Sequence, residues 1–310
     1  MRSTPQGEHR PVLLAEVLAA LDPQPGQIVV DATVGFGGHA AELLRRVGPT
    51  GKLIGLDLDA DNLPRARERL EPIGFPFSLH HANFAGLQQA LAAEGLSAAD
   101  AILADVGVSS MQIDDSGRGF SYVRDGPLDM RMDRSRGKTA EELLQTLPAA
   151  DLASAFREYG DEPQAEAIAH AICANRQAGG LERTRELADL IQEAAPVRLE
   201  KPGPGVPTPR QQRLRPVARV FQALRILVNR ELSNLTALLR VLPAVLNPGG
   251  RAAIISFHSG EDRLVKQSFR DGLRSGLYAE TCDDAVRAGF IERQTNPRAR
   301  SAKLRWARKK

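Results

Sequence analysis

An α/β fold is predicted for this chain: a doubly wound, mostly parallel sheet with an inserted all-helical domain. Three observations carry the prediction. Residues 1–112 alternate short apolar runs with amphipathic stretches. Residues 139–195 have helical periodicity with no strand-like run among them. After residue 216 the alternation resumes. Strands that alternate with helices are joined by crossovers, which makes the sheet parallel and covers both of its faces. The expected organisation is one α/β domain made of residues 1–112 and 216–310, with residues 113–215 as the helical insertion.

The elements follow in order. "PVLLAEVLAAL" (11–21) has helical apolar spacing, "QIVVDA" (27–32) reads as a buried strand, and "AAELLRRV" (40–47) as a helix. "KLIGLDLD" (52–59) and "FPFSLHHANF" (75–84) are the next strands. Each is followed by a helix, "DNLPRARERL" (61–70) and "AGLQQALAAEG" (85–95). "ADAILADVGV" (99–108) is the fourth strand. Residues 113–137 are rich in Gly, Asp and Arg without a clean period, and four helices then follow up to residue 195. The stretch 196–216 carries six prolines and reads as a loop. A long helical segment is expected over 217–242, a strand over 251–257, a helix near 260–270 and a last strand near 302–307.

Composition narrows the functional classes. Apolar residues make up 42% of the 310 and charged residues 25%, as expected of a chain with a real core. "MRSTPQGEHRPV" has no apolar h-region, so no signal peptide is expected. No apolar run approaches the roughly 18 residues of a membrane span. Cys173 and Cys282 have neither metal-ligand spacing nor a disulfide framework. A reducing cytoplasm is the expected compartment. Net charge is only +3, but it is unevenly spread. The final fifteen residues, "NPRARSAKLRWARKK", hold seven Lys or Arg and no acid. "PTPRQQRLRP" (207–216) adds three Arg. Such patches suit a polyanion, and equally a solvated tail and loop.

"DATVGFGGHA" (31–40) lies between the first strand and its helix. "GFGGHA" fits G-x-G-x-x-A, and Asp57 ends the second strand, where it is placed to take the ribose hydroxyls of an adenosine. These features alone leave NAD and S-adenosylmethionine both open. Asp31 tilts the balance. A carboxylate is unwelcome beside a pyrophosphate but suits the ammonium and sulfonium of S-adenosylmethionine. His39, in the first turn of the helix, also reads as a capping or packing residue. Asp105 ends the fourth strand, beside the expected cleft, and is the candidate acceptor for an amine. Ser109, Ser110 and Gln112 offer hydrogen bonds close by in sequence. "RGFSYVRDGPLDMRMDR" (118–134) has the mixed polar character of a functional loop. Its Arg118, Arg124, Arg131 and Arg134 are candidate phosphate ligands, with Phe120 or Tyr122 to stack a base; a salt-bridged linker is the other reading. "SFHSGEDR" (256–263) has no G-x-S-x-G elbow, so His258 reads as a polar group closing the substrate cleft.

Taken together, these motifs resemble the ribosomal RNA small-subunit methyltransferase H family, also called MraW. The resemblance runs over nearly the whole chain. It rests on "HRPVLLAEVL" (9–18), "DATVGFGGH" (31–39), "DLD" (57–59), "ADVGVSSMQID" (104–114) and "RGFSYVRDGPLDMRMD" (118–133). It continues through "YGDE" (159–162), "VFQALRILVNREL" (220–232), "PGGRAAIISFHSGEDR" (248–263) and "NPRARSAKLR" (296–305). The resemblance implies a class I, Rossmann-like methyltransferase fold and transfer of a methyl group from S-adenosyl-L-methionine to N4 of a cytidine. The cytidine would lie in the decoding region of small-subunit ribosomal RNA. Cofactor contacts are implied at Gly37, Gly38, His39, Asp57, Phe84, Asp105 and Gln112, with Asp105 also catalytic. Arg118, Arg131, Arg215, Arg219 and His258 are the expected RNA contacts. No metal is implied. The partner is the ribosomal RNA or the small subunit, with no membrane, and a homodimer is open to the chain.

The chain departs from the family pattern where members read "HPATRVFQ" and "SFHSLEDR". Here Arg215 and Ala218 replace His and Thr, and Gly260 replaces Leu. The Pro-rich stretch before Arg215 is also expanded. These changes fall on the substrate side, so target choice is what they put in question. Other readings on the same residues are a DNA or protein acceptor, a nicotinamide dehydrogenase, and a non-catalytic RNA-binding factor. The basic tail and "PRQQRLR" lead to one expectation: RNA affinity falls steeply as salt rises, because phosphate contacts release counterions. A titration in increasing KCl checks it, and a flat dependence would count against RNA binding through these segments.

Overall fold

The computed structural model describes residues 11–201, 203 and 205–310. The stretch 1–10, including His9 and Arg10 at the start of the motif 9–18, lies outside the described residues, as do Pro202 and Pro204. The chain divides into two compact units, one of residues 1–107 and 232–310, the other of residues 108–231.

The first unit opens with helix α1 (Leu14–Leu21) and continues as β1 (Ile28–Asp31), α2 (Gly38–Val47), β2 (Lys52–Asp57) and α3 (Asn62–Leu70). Then come β3 (Phe77–His81), α4 (Leu87–Ala93) and β4 (Ala99–Asp105). The second unit holds α5 (Ser110–Asp114), α6 (Ala140–Thr146), α7 (Ala149–Gly160), α8 (Ala165–Asn175), α9 (Thr184–Ala194), α10 (Pro209–Arg213) and α11 (Arg215–Asn229). The chain returns with α12 (Glu231–Val245), β5 (Leu246–Ser256), α13 (Ser259–Arg274), β6 (Tyr278–Thr281), α14 (Phe290–Thr295) and β7 (Lys303–Lys309).

The seven strands form one sheet in the order β3-β2-β1-β4-β5-β7-β6. Strands β1 to β5 pair in parallel, and β7 runs antiparallel to both neighbours. Neighbouring residues on each central strand feed opposite cores. Val29, Leu53, Leu103 and Ile255 pack with α1 and α2 on one face. Val30, Ile54, Ile102 and Ile254 pack with α4, α12 and α13 on the other. Burial on both faces explains why these strands read as unbroken apolar runs rather than alternating ones. The chain leaves β1 outward through β2 and β3, then returns to place β4 on β1's other side. That reversal opens a crevice at the carboxyl ends of β1 and β4.

The helical unit has its own core, in which Leu144, Leu152, Phe156, Ile168, Leu187, Ile191, Val220, Phe221 and Leu224 are buried together. Helix α11 therefore packs within this unit, although the sequence reading began the returning α/β segment at residue 216. The apolar face of α11 meets α7 and α9, and helical period alone does not say which core a helix will join.

Two features go beyond the sequence reading. The helical segment over 217–242 is two helices, broken at Arg230, whose φ of 52° is left-handed. Arg225 holds the break by a two-pronged pair with Glu231, at 2.8 and 2.9 Å. Asn229 ties it to the loop below, donating to the Met130 carbonyl at 2.8 Å and accepting from the Met132 N–H at 2.7 Å. No Gly or Pro marks the break, so tertiary bonds decide it. Strand β6 was not anticipated. It is four residues long, on the sheet edge, and Glu280 and Thr281 leave it little apolar pattern.

Gly55 lies in the middle of β2, where a Cβ would come within 2.6 Å of Leu79 and 3.1 Å of Val34. Val34 belongs to the turn after β1, so this missing side chain seats that turn. Gly55→Val is expected to cost about 1–3 kcal/mol by overpacking and to weaken ligand binding at the turn. Urea unfolding should show a lower midpoint at unchanged slope; an unshifted midpoint would refute the packing argument.

Candidate active site

The turn from Ala32 to Gly37 is stitched to the strands around it. Ala32 N–H donates to the Leu103 carbonyl and Val34 N–H to that of Leu56, both at 2.8 Å. The Thr33 N–H folds back onto Asp31 Oδ1 at 3.1 Å. Gly35 N–H donates to Asp57 Oδ2 at 2.7 Å. Asp57 Oδ1 accepts from Asp59 N–H at 2.8 Å and from Asn62 Nδ2 at 3.1 Å. Asp57 thus holds the glycine turn in place, a role beyond the ribose contact read from the sequence. Gly37 caps α2 with φ 75°, and a Cβ there would meet the Ala66 backbone at 3.4 Å. Glycine is favoured there by that left-handed conformation.

Three strand-end acids and one histidine gather at this edge. Asp31 is buried, and its Oδ2 has no hydrogen-bond partner among the described residues. The Asp105 N–H donates to Thr33 Oγ1 at 2.7 Å, which ties the end of β4 to the turn after β1. Thr33 was missed in the sequence, where a threonine after an Asp carries no special signal. Asp105 Oδ1 is likewise buried without a partner among the described residues. His39 Nδ1 stands 4.0 Å from Asp105 Oδ2. His39 Nε2 lies 2.8 Å from the Val12 carbonyl. A carbonyl only accepts, so Nε2 carries a proton and Nδ1 is the atom turned to Asp105.

Burial dominates the acid–base behaviour here. Desolvation raises Asp31 to about 6, opposed by the His39 charge and the Thr33 N–H, with Asp105 and Asp57 adding to the rise. Desolvation also raises Asp57 to about 6 against its three hydrogen bonds. Asp105 is raised by burial and by Glu261, while His39 and Arg298 pull it back. Ionising Asp31 or Asp57 therefore costs on the order of 3 kcal/mol more in the folded protein than in the unfolded chain, at about 1.4 kcal/mol per pH unit. The folded state binds these protons more tightly than the unfolded chain does. Their contribution to stability is therefore present below about pH 4 and is lost as pH rises through about 6.

The other expected residues fall in several places. Phe84 starts the turn after β3, where Asn83 Oδ1 accepts from the Ala85 N–H at 2.8 Å, and it packs at the edge of the second core. His258 precedes α13, with Nε2 3.1 Å from Glu261 Oε1. Glu261 is itself buried and accepts the Phe257 N–H at 2.8 Å. A Cβ on Gly260 would press within 3.2 Å of the His258 ring, so this glycine gives the imidazole its room.

In the helical unit, Gln112 closes a capping box with Ser109: its side chain accepts the Ser109 N–H at 2.8 Å. Arg118 is a correction. It is buried and donates to the Arg131 and Met132 carbonyls at 3.1 and 2.9 Å, so it braces its loop instead of facing phosphate. Arg131 makes a two-pronged pair with Asp129, at 2.7 and 2.9 Å. Arg219 pairs with buried Glu162 at 3.6 Å. Arg215 pairs with Glu200 at 2.9 Å, which spends this departure from the family pattern on fastening the Pro-rich loop.

The geometry fits a ligand with a cationic end: backbone at the turn, and two buried carboxylate oxygens awaiting donors. Comparison with known proteins carries this further. The MraW methylase family matches residues 6–310. The chain belongs to that family. A protein of Syntrophotalea carbinolica named ribosomal RNA small subunit methyltransferase H is 44% identical, covering 97% of this chain and 98% of its own. One of the same name from Sorangium cellulosum is also 44% identical, covering 98% and 92%. A Lachnoclostridium phytofermentans protein, methyltransferase H 1, is 42% identical over 98% of this chain and 82% of its own. The sheet is that of a class I, Rossmann-like methyltransferase, and the cofactor is S-adenosyl-L-methionine. Among the described residues, no helix is long and apolar enough to cross a membrane.

Asp31→Asn separates stability from binding. With the buried charge removed, the cofactor-free protein is expected to melt at a higher temperature than wild type at pH 8, and to lose that advantage near pH 4. Cofactor affinity should fall at least about tenfold, since a partly buried charge pair is worth more than 1.4 kcal/mol. Thermal melts and calorimetric titration read the two effects. A lower melting temperature at pH 8, or unchanged affinity, would contradict the assignment.

Proposed function

We propose that this protein transfers a methyl group to N4 of a cytidine in the decoding region of small-subunit ribosomal RNA. The single observation behind the chemistry is the buried, partnerless Asp105 oxygen at the end of β4, one strand away from the glycine turn. The names of the relatives support ribosomal RNA as the acceptor.

S-adenosylmethionine, when bound, supplies an electrophilic methyl carbon. Gly37, Gly38 and His39 would give it a close backbone path, Asp31 would hold its ammonium, and Asp57 and Phe84 would take the ribose and adenine. The cytidine must be taken out of any stack or pair to enter the crevice. Its N4 is a poor nucleophile because the lone pair is delocalised into the ring. Asp105 answers this in two ways. Its free oxygen accepts an N4–H, which fixes the lone pair's direction, and its charge favours the positive nitrogen that develops. The surplus N4 proton passes to the Asp105 carboxylate. The Thr33 bond to the Asp105 N–H and the His39 imidazole keep the carboxylate in place. Arg298 and His39 favour its ionised form, against the burial that opposes it.

Only ionised Asp105 does this work, and its pKa is raised. Activity should therefore fall on the acid side at a pH above the ordinary carboxylate range. The experiment incubates labelled S-adenosylmethionine with small ribosomal subunits from a strain lacking this protein, and digests the RNA to nucleosides. Label is expected in N4-methylcytidine. Asp105→Ala should reduce the rate by about 100-fold or more while cofactor stays bound. Label in another nucleoside, or full activity in the variant, would refute the proposal.

A further inference from the structure

The helical unit carries a groove of about 580 Å³ between α9 and α10, walled on one side by Tyr122 and Val123. On α9, Arg185, Asp189 and Gln192 line it at spacings of four and three residues, which is one helical face. On α10, Arg210 and Arg213 are one turn apart and face it too. The three arginines are exposed and none is in an ion pair among the described residues, although Asp125 accepts the Arg185 backbone N–H at 3.3 Å and feels its charge. Their neighbours differ: Arg183 is held by Asp125 at 2.7 Å and Arg215 by Glu200 at 2.9 Å. With three arginines against the single acid Asp189, the groove's lining carries a net positive charge that an anionic ligand would neutralise.

The groove's walls are fastened. Thr208 and Gln211 form a capping box at the start of α10. Gln212, buried, donates to the Pro207 carbonyl and accepts the Glu200 N–H, both at 2.8 Å. Tyr122 is held edge-on to Phe221, with ring centroids 5.4 Å apart. The arginines are therefore presented by an ordered surface, not by a free tail.

We infer that this groove binds a single strand of RNA flanking the methylated nucleotide, with Arg185, Arg210 and Arg213 on successive phosphates. The inference rests on the RNA substrate proposed above. The three cations line one groove, where backbone phosphates can meet them, and the Tyr122 ring in its wall offers a contact to a base. Asp189 and Gln192 add acceptors for base amines and 2′-hydroxyls, which a site for plain polyphosphate would lack. The groove's α10 wall is "PRQQR", from the Pro-rich stretch before Arg215.

The test uses the full-length protein and a fluorescein-labelled 12-nucleotide RNA of mixed cytidine and uridine, read by anisotropy across a KCl series. The variant is Arg185→Gln, Arg210→Gln, Arg213→Gln combined. Its RNA affinity is expected to drop about tenfold or more, and the slope of log K against log salt to fall by about two, near 0.7 per lost phosphate contact. Binding of labelled S-adenosylmethionine and the melting temperature should match wild type, which shows that the fold is kept. An RNA affinity and salt slope equal to wild type would overturn the inference. So would a DNA strand of the same length that binds as tightly as the RNA and loses as much in the variant, which would mark a general polyanion surface. Binding to this probe does not depend on methyl transfer. If wild type fails to methylate ribosomal RNA, the proposed reaction falls while the groove is still read directly.

Discussion

The bond from the Gly35 N–H to the Asp57 carboxylate is the contact on which the site depends. It joins the turn after β1 to the end of β2, and Thr33 extends the tie to Asp105 at the end of β4. Three strand ends are thereby fixed in one frame. The glycines make a close backbone approach possible, but glycine alone leaves a turn free to take many shapes. A buried carboxylate accepting three hydrogen bonds selects one of them. Gly55 completes the arrangement from below, since the absence of its side chain lets Val34 settle against β2.

Electrostatics sets the cost of this frame. Asp31, Asp57 and Asp105 all end their strands in the same crevice, and burial raises the pKa of each. His39 offsets part of the strain with a single ring turned to Asp105. The rest is left for a ligand that brings positive charge. A site of this kind is stable enough to fold but gains on binding, which is how function draws on stability at a local cost. The same logic holds in miniature in the helical unit. There most arginines are tied to acids that brace loops, while Arg185, Arg210 and Arg213 are left to water.

Which residues were legible depended on whether their role is local. The glycine turn, Asp31, Asp57 and Asp105 could be picked out as candidates because strand ends and turns leave local signatures, and a parallel sheet brings its carboxyl ends together by topology. Arg118 misled because a charged residue in a polar loop looks exposed, and only the folded loop supplies the two carbonyls that bury it. Arg215 likewise looked free for substrate, yet Glu200, fifteen residues earlier, takes it. Thr33 went unnoticed because it acts through one hydrogen bond to the backbone N–H of Asp105, far along the chain.

By itself the sequence determined the α/β alternation, the helical character of the insertion, the glycine turn after the first strand and the family. These depend on local periodicity, on turn chemistry and on short motifs in order along the chain. Tertiary structure alone decided the break at Arg230, the membership of α11 in the helical core, the edge strand β6 and the partners of the arginines. Those are settled by long-range packing and by competition among distant donors and acceptors, which no window of neighbouring residues contains.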